Sequence, residues 1–507
     1  MSTRRVFFKN ALANLGRGGA AGLVALLLPP LLVRHMTAAD YAVWVLVLQV
    51  GAYVNYLDFG LQTAVGRYVA FAQERNDREQ RDTVFSTAFA ALAGACIVSI
   101  LLLLVVVSAV RLLFPSLPAE SVATIRWAMA ILGVCLALGL PASAWNGVFI
   151  GLQKYETPAM TIGGTRIISA VGVVIAAFAG KSVVTMAGIM GGTYLLSYGV
   201  QYLAVRRMVP DLAFELGMVR RTTAKELFSY CFGLTVMSFS MLLVTGLDLI
   251  LVGRFQFGAV TPYSVAASIT TFLSGGLGAV LNVMLPHAAA LHAREEPEAL
   301  GCLVLNSTRI AVVLLVITGI PLMVLSGPIL RLWIGQSFVA SGQPILVTLL
   351  LANIVRLVGL PYSIVLVSAG QQRLIKVSPL TEGISNFVAS VVLGSMLGAV
   401  GVALGTLAGS ILAIASHLVY SMPRTRPVIR FGRKKWLWSG IMLPTMCSLP
   451  LVILAGFSLA GSAVVAERLW MFGPAFAISV FASAVFLHRH GLLHRSLSDS
   501  GAESISG

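Results

Sequence analysis

Long apolar runs restrict the fold of this chain more than any other feature of its sequence. A helix needs about 20 apolar residues to cross the hydrocarbon core of a bilayer, and a window of that length fits this sequence fourteen times. Because 58% of the residues are apolar and only 11% are charged, a soluble globular fold is excluded. Lipid cannot satisfy an open backbone, and the runs lack the alternation of barrel strands, so each run is predicted to be an α-helix.

The fourteen runs are numbered here as predicted spans one to fourteen. Their approximate bounds are 15–34, 43–66, 84–110, 124–150, 160–180, 183–205, 231–253, 263–288, 310–330, 345–369, 377–397, 400–420, 437–457 and 469–487. The predicted fold class is therefore an all-α polytopic membrane protein.

The basic residues are distributed unequally between the two sets of loops. Of the 35 Lys and Arg residues, 26 lie on the side that carries the N-terminus and seven on the other, while Arg166 and Arg356 fall within spans. This is the positive-inside pattern, so we expect both termini in the cytoplasm. Topology thus accounts for the net charge of +16, and we expect no nucleic-acid partner. The first run ends in Pro29, Pro30 and Arg34, which disfavours a cleavable signal peptide.

Sequence motifs for common chemistries are absent. The chain contains no GxxxxGK[ST], HExxH or GxSxG motif, and its five cysteines are scattered without metal-ligand spacing. We therefore expect no metal, no cofactor and no catalytic residue. The predicted outer loops are short, whereas a membrane enzyme working on that face usually carries a sizeable soluble loop. Transport is favoured, and a polysaccharide polymerase or ligase is the less favoured alternative.

An internal repeat with an offset of about 220 residues supports transport. Pro141 in span four matches Pro361 in span ten, and the turn 151–154 (GLQK) matches 370–373 (GQQR). Further pairs are Arg34 with Arg254, Tyr41 with Tyr263, and Thr161 with Thr381. Six helices per repeat is an even number, so both repeats insert the same way up, which predicts two six-helix lobes around a central cleft.

The repeat also predicts domain boundaries. We expect an N-lobe over 1–205 (spans one to six), a cytoplasmic linker over 206–230 and a C-lobe over 231–422 (spans seven to twelve). Residues 423–507 would form a basic loop, an added helix pair (spans thirteen and fourteen) and a cytoplasmic tail.

Several motifs in this order resemble those of polysaccharide flippases. They are Asn10 and Asn14 followed by LLPPLLVRHMTAADYAVWVLV (27–47), the run 53–61 containing LDFGL, Arg67, the GLQK turn, and RLWIG (331–335). The resemblance covers roughly the first 420 residues and is to the O-antigen and exopolysaccharide flippases of the multidrug/oligosaccharidyl-lipid/polysaccharide exporter superfamily.

This resemblance implies a function and a location. It implies transfer of undecaprenyl-diphosphate-linked oligosaccharide from the inner to the outer leaflet of a bacterial cytoplasmic membrane by alternating access. It also implies membrane lipids and polysaccharide assembly proteins as partners. The main alternative within the superfamily is a MATE-like antiporter of drugs or other cations.

Charged and amide side chains within the spans are the candidate site residues, because a charge at the bilayer centre costs on the order of 3 kcal/mol. Arginine has a fork of donors that matches phosphate oxygens. Arg356 lies deep in span ten, and we expect Asn353 and Ser363 on its helical face, with an ion pair to Glu382 as the alternative. Arg166 either lines the cleft or reaches the cytoplasmic interface. The predicted substrate-binding residues are Arg356, Arg166, Asn353, Asn55 and Asn282, and the predicted ion-coupling residues are Asp58, Glu382 and Asp248.

Overall fold

The structure is a computed structural model that describes residues 26–154, 156–371, 374, 376–460, 469–490 and 492. Most of predicted span one, both asparagines of the opening motif, Arg373 and most of the C-terminal tail lie outside the described residues. The described part of the chain is helical and contains no strand. Eleven of its helices are long and apolar enough to cross a membrane, or twelve with one bent pair included. The predicted all-α membrane fold is confirmed, whereas the count of fourteen spans stays a prediction.

The chain divides into two compact units, Met1–Val265 (unit 1) and Ala266–Gly507 (unit 2). The lobe, linker and tail boundaries expected from the repeat stay predictions. The helices that begin in unit 1 are 26–33, Ala38–Val54, Asn55–Asp58, Leu61–Glu74, Arg78–Ser108, Val110–Leu113, Ser121–Ala137, Ala142–Gly151, Glu156–Phe178, Val183–Met208, Leu216–Met218, Arg221–Met241, Leu242–Gly246, Asp248–Phe255, Phe257–Ala259 and Val260–Leu281.

Unit 2 continues the helical pattern to the end of the described chain. Its helices are Met284–Ala293, Pro297–Val324, Ser326–Ile334, Gln336–Phe338, Val339–Val358, Leu360–Ser368, Val377–Ser416, His417–Ser421, Met422–Arg424, Arg433–Lys435, Trp436–Met442, Leu443–Cys447, Leu449–Ala460 and Leu469–Arg489.

Short polar side chains start several helices. Thr37 accepts a hydrogen bond from the backbone N–H of Asp40, and Asp77 accepts one from that of Gln80 at 2.9 Å. Such caps satisfy donors that the first helical turn leaves unpaired. On the helix that begins after Asp77, large aliphatic side chains such as Ile97 and Val105 are more than half exposed, as expected of a surface that faces lipid.

The segment Val377–Ser416 folds back on itself at Gly398. Its 40 residues would extend about 60 Å as one straight helix, twice the thickness of a hydrocarbon core. Gly398 has φ 61° and ψ −137°, which is not helical. Gly401 packs on the backbone at Leu393, and Gly405 packs on Ser390, so the two halves run antiparallel. They correspond to predicted spans eleven and twelve.

Predicted span thirteen packs directly on the helix Pro297–Val324. The Trp436 indole donates to Thr308 Oγ1 at 3.0 Å, and Arg309 Nε donates to the Ser439 carbonyl at 3.1 Å. Predicted span nine (310–330) leaves Arg309 in the loop before it. That placement is wrong, because the helix begins twelve residues earlier, at Pro297, and Arg309 is a buried side chain within it.

Several predicted spans are interrupted near polar residues. Span two breaks after the tight turn Asn55–Asp58, where Phe59 and Gly60 adopt left-handed φ values of 51° and 79°. Span four breaks at 138–141, span seven widens over Leu242–Gly246, and span ten breaks at Gly359. Interrupted membrane helices are tolerated where protein or water satisfies the freed backbone groups, and they often mark binding sites.

Candidate functional site

Arg166 is a cation of unit 1 that has no partner among the described residues. It is the eleventh of 23 residues in the helix Glu156–Phe178, and its side chain is exposed. It forms no hydrogen bond or ion pair with any described residue. Tyr194 and Tyr198 of the adjacent helix Val183–Met208 interact with it electrostatically. A charged guanidinium at this depth, about 15 Å along the helix from Glu156, is costly unless a polar or anionic group lies beside it.

Arg356 in unit 2 is held by neutral polar groups. Its Nη2 donates to Asn353 Oδ1 at 2.8 Å and to Ser274 Oγ at 3.5 Å, and Ser274 Oγ also donates to Asn353 Oδ1 at 2.8 Å. Arg356 and Asn353 therefore share a helical face, as their spacing predicts. Ser363 does not join them, because the helix breaks at Gly359 and the Ser363 hydroxyl instead lies 3.3 Å from His417 Nε2.

Glu382 is a buried carboxylate on the helix that packs against the Arg356 helix. Its Oε1 accepts a hydrogen bond from Ser410 Oγ at 3.5 Å, across the hairpin that turns at Gly398. Arg356 interacts electrostatically with Glu382, but the two described side chains form no ion pair within 4.0 Å. The direct ion pair considered in the sequence analysis is therefore not formed in this structure.

Asp58 lies where span two breaks and is linked to the break in span four. Ser143 Oγ donates to Asp58 Oδ1 at 3.0 Å, and Ser143 follows Pro141 by two residues. Thr235 Oγ1 donates to the carbonyl of Phe59, which lies at the same break. The breaks in spans two and four are therefore joined through the half-buried carboxylate of Asp58.

Asp248 follows the widened turn of span seven and is buried. It accepts a hydrogen bond from the Tyr263 hydroxyl at 3.2 Å. Just before it, the Gly246 carbonyl accepts hydrogen bonds from Gln49 Nε2 at 2.7 Å and from the Tyr53 hydroxyl. Side chains from span two thus satisfy a backbone group that the irregular turn leaves free.

The predicted amides Asn55 and Asn282 are both exposed at helix interruptions. Asn55 Nδ2 lies 3.5 Å from the Ala52 carbonyl, and Asn282 lies in the turn between Val260–Leu281 and Met284–Ala293. No hydrogen bond joins either amide to another predicted site residue among the described residues.

A separate cavity of about 830 Å³ in unit 1 contains basic and acidic side chains together. Arg81 is buried there and pairs with Asp82 at 2.8 Å and Asp211 at 3.4 Å, and Arg78 also pairs with Asp211. Carboxylates already neutralise these two arginines, whereas Arg67 and Lys154 line the same cavity without a carboxylate partner among the described residues.

Sequence reasoning missed Ser143, Ser274, Tyr194 and Tyr198. One signal was available for Ser143, since Gly-Leu-Pro-Ala-Ser at 139–143 and Gly-Leu-Pro-Tyr-Ser at 359–363 are separated by 220 residues, the offset of the repeat. The tyrosines are spaced by four residues, which places them on one helix face, but that spacing did not indicate Arg166 as their neighbour.

Comparisons with known proteins agree with this architecture. Residues 7–292 match the family model described as polysaccharide biosynthesis protein. An uncharacterized membrane protein of Bacillus subtilis (strain 168), EpsK, is 24% identical over 423 residues, which is 82% of each chain.

Two solved transporters share the fold at low sequence identity. The lipid II flippase MurJ in an inward closed conformation aligns with a TM-score of 0.68 at 14% identity, covering 94% of this chain and 98% of that chain. An inward-facing multidrug resistance MATE family transporter of the MOP superfamily aligns with a TM-score of 0.65 at 14% identity, covering 82% and 98%.

Proposed function

Because this chain belongs to the polysaccharide biosynthesis protein family, we propose that it is a flippase for undecaprenyl-diphosphate-linked oligosaccharide in a bacterial cytoplasmic membrane. It would carry the lipid-linked repeat unit from the inner to the outer leaflet by alternating access. The observation that carries this proposal is the exposed Arg166 guanidinium at the midpoint of a membrane-spanning helix, without a partner among the described residues.

The charge of the cargo explains why such an arginine is useful. A diphosphate carries about two negative charges. Its transfer from water to a site of low dielectric constant is costly unless cations and hydrogen-bond donors replace the lost hydration. Arginine stays charged at any physiological pH and offers several donors to phosphate oxygens. Arg166 in unit 1 meets this requirement, and Arg356 supplies a second deep cation in unit 2.

A cation antiporter, the alternative from the sequence, would need carboxylates available to its substrate. The carboxylates within the spans are already engaged, since Asp58, Asp248 and Glu382 each accept a hydrogen bond from a hydroxyl group. Two of the three are also buried. These engaged carboxylates suit proton or ion coupling better than binding of a large cation.

The test is deletion of the gene, followed by measurement of where lipid-linked oligosaccharide accumulates. We expect accumulation in the inner leaflet, out of reach of a membrane-impermeant periodate label applied to spheroplasts. Wild-type protein should restore labelling, and an Arg166→Ala variant inserted at the same level should not. Normal labelling in the deletion strain would reject the flippase assignment.

A further inference from the structure

Tyr194 and Tyr198 lie on the helix that packs against the Arg166 helix, and no described residue uses their hydroxyl groups. Both tyrosines belong to the helix Val183–Met208, and each is half-buried. Neither hydroxyl forms a hydrogen bond with a described residue, although Arg166 interacts electrostatically with both. Three polar groups without partners among the described residues therefore lie on adjacent membrane-spanning helices, where unsatisfied polar groups are costly.

The break in span four makes room for one of these hydroxyls. Gly139 lies directly against Tyr198, and a Cβ atom at position 139 would collide with the tyrosine hydroxyl. The helices Ser121–Ala137 and Ala142–Gly151 end and begin on either side of this glycine. Three predicted spans thus contribute to this region. Span five carries Arg166, span six carries the two tyrosines, and span four leaves space at Gly139.

We propose that Arg166, Tyr194 and Tyr198 form a binding site for a phosphate or diphosphate group, in which the two tyrosine hydroxyls donate hydrogen bonds to the anion that the guanidinium neutralises. This inference rests on the proposed function and adds two recognition residues to it. A tyrosine hydroxyl is both donor and acceptor, and hydrogen bonds to charged groups are roughly twice as strong as those between neutral groups.

The next tyrosine on the same helix provides a contrast. Tyr202 lies four residues beyond Tyr198, but its hydroxyl already accepts a hydrogen bond from Arg206 Nε at 3.3 Å, and its ring packs against Trp145 at 5.4 Å. It shares residue type, helix and spacing with the proposed pair and differs in that its hydroxyl is engaged. Tyr202→Phe is therefore a matched control.

The experiment measures equilibrium binding of undecaprenyl diphosphate to the purified full-length protein in detergent, with inorganic pyrophosphate as competitor and undecaprenol as the neutral control. We expect Tyr194→Phe and Tyr198→Phe each to weaken binding about tenfold, as for the loss of one hydrogen bond to a charged group. Tyr202→Phe should bind like wild type, pyrophosphate should displace the lipid, and undecaprenol should not bind at this site. Both Phe variants keep the ring, so their melting temperatures should stay close to that of the wild type.

The outcomes separate this inference from the proposed function. Wild-type affinity in both Phe variants, together with weakened binding in Arg166→Ala, would overturn the tyrosine site and leave the flippase assignment standing. Equal weakening in Tyr202→Phe, or failure of pyrophosphate to compete, would also overturn the site, because neither result fits recognition of the anion by these two hydroxyls. Unchanged binding in Arg166→Ala would remove the site and the observation that carries the proposed function.

Discussion

Each unit has a helix break beside a similar five-residue segment, GLPAS at 139–143 and GLPYS at 359–363, but the polar surroundings differ. In unit 1 the break 139–143 (GLPAS) lies against Tyr198, and its serine bonds to Asp58. In unit 2 the break 359–363 (GLPYS) lies against His417, and its serine bonds to that buried histidine.

The deep arginines differ in the same way. Arg166 has no partner among the described residues, whereas Arg356 is held by an amide and a hydroxyl. The helix break that recurs in the two units is thus surrounded by different polar side chains in each. We propose that Arg166 is therefore the cation that meets the ligand, whereas unit 2 satisfies Arg356 internally.

The largest expected effect comes from removing the two arginines one at a time. Arg166→Ala should lower affinity for undecaprenyl diphosphate by about a hundredfold, because it removes the charge and several hydrogen bonds to the anion. Arg356→Ala should lower the affinity less, because Arg356 already donates its hydrogen bonds to Asn353 and Ser274. Lysine at either position should rescue only partly, since it lacks the planar fork. Binding assays at matched expression check this order, and a larger loss in Arg356→Ala would reverse the assignment of the units.

The carboxylates of the two units are expected to act after cargo release. Outward movement of a charge of about −2 is favoured by roughly 4 to 5 kcal/mol per 100 mV of inside-negative potential, so the empty, arginine-containing protein faces the harder step on its return. The double variant Asp58→Asn, Glu382→Gln should slow turnover in reconstituted vesicles about tenfold and change substrate affinity little, since the counter-charges would be lost. Each single variant serves as a control. Wild-type turnover in the double variant, or transport that is indifferent to every ion gradient, would contradict this role.

The glycines of the two breaks allow a direct comparison of packing. Gly139→Ala places a methyl group against the Tyr198 hydroxyl, and Gly359→Ala places one against Ile414 and His417. Overpacking of this kind costs about 1 to 3 kcal/mol, so both variants should unfold at lower temperature. Only Gly139→Ala should also weaken diphosphate binding, because it displaces a proposed ligand group. Loss of binding in both variants would show that the two breaks do not differ in function.

The smallest expected effect concerns the serines of the breaks. Ser143→Ala removes a hydrogen bond to a carboxylate, worth about 1.5 to 3 kcal/mol, and Ser363→Ala removes one to a histidine, worth about 1 kcal/mol. Thermal unfolding in one detergent should rank Ser143→Ala as the less stable variant. The reverse ranking would indicate that the Ser363 contact with His417 is the stronger of the two.

Much of the fold could be predicted from local sequence. Hydrocarbon imposes one strong rule, that a spanning segment be apolar, about 20 residues long and internally hydrogen-bonded, and this rule can be applied without tertiary information. It identified the helix Glu156–Phe178 and both halves of the hairpin around Gly398. It placed Arg309 outside span nine, because a charged residue lowers the mean hydropathy of any window that contains it.

The candidate site was less accessible to sequence reasoning. The cost of a charge in a membrane singled out Arg166, Arg356 and Glu382 from the sequence alone, and the i, i+3 spacing correctly joined Arg356 to Asn353. The sequence could not assign their partners, because Ser274 lies 82 residues from Arg356, and Tyr194 lies on a different helix from Arg166. Such partners depend on which helices are adjacent and on where each helix breaks.

The sequence by itself therefore determined which segments enter the membrane and which charges they carry, since the free energy of transfer into lipid depends mainly on the composition of each segment. Only the tertiary structure decided which of those charges are satisfied. Hydrogen bonds act over about 3 Å, and helix packing sets distances on that scale. Packing left Arg166 without a partner among the described residues and gave Arg356 two, although both arginines carry the same charge within a predicted span.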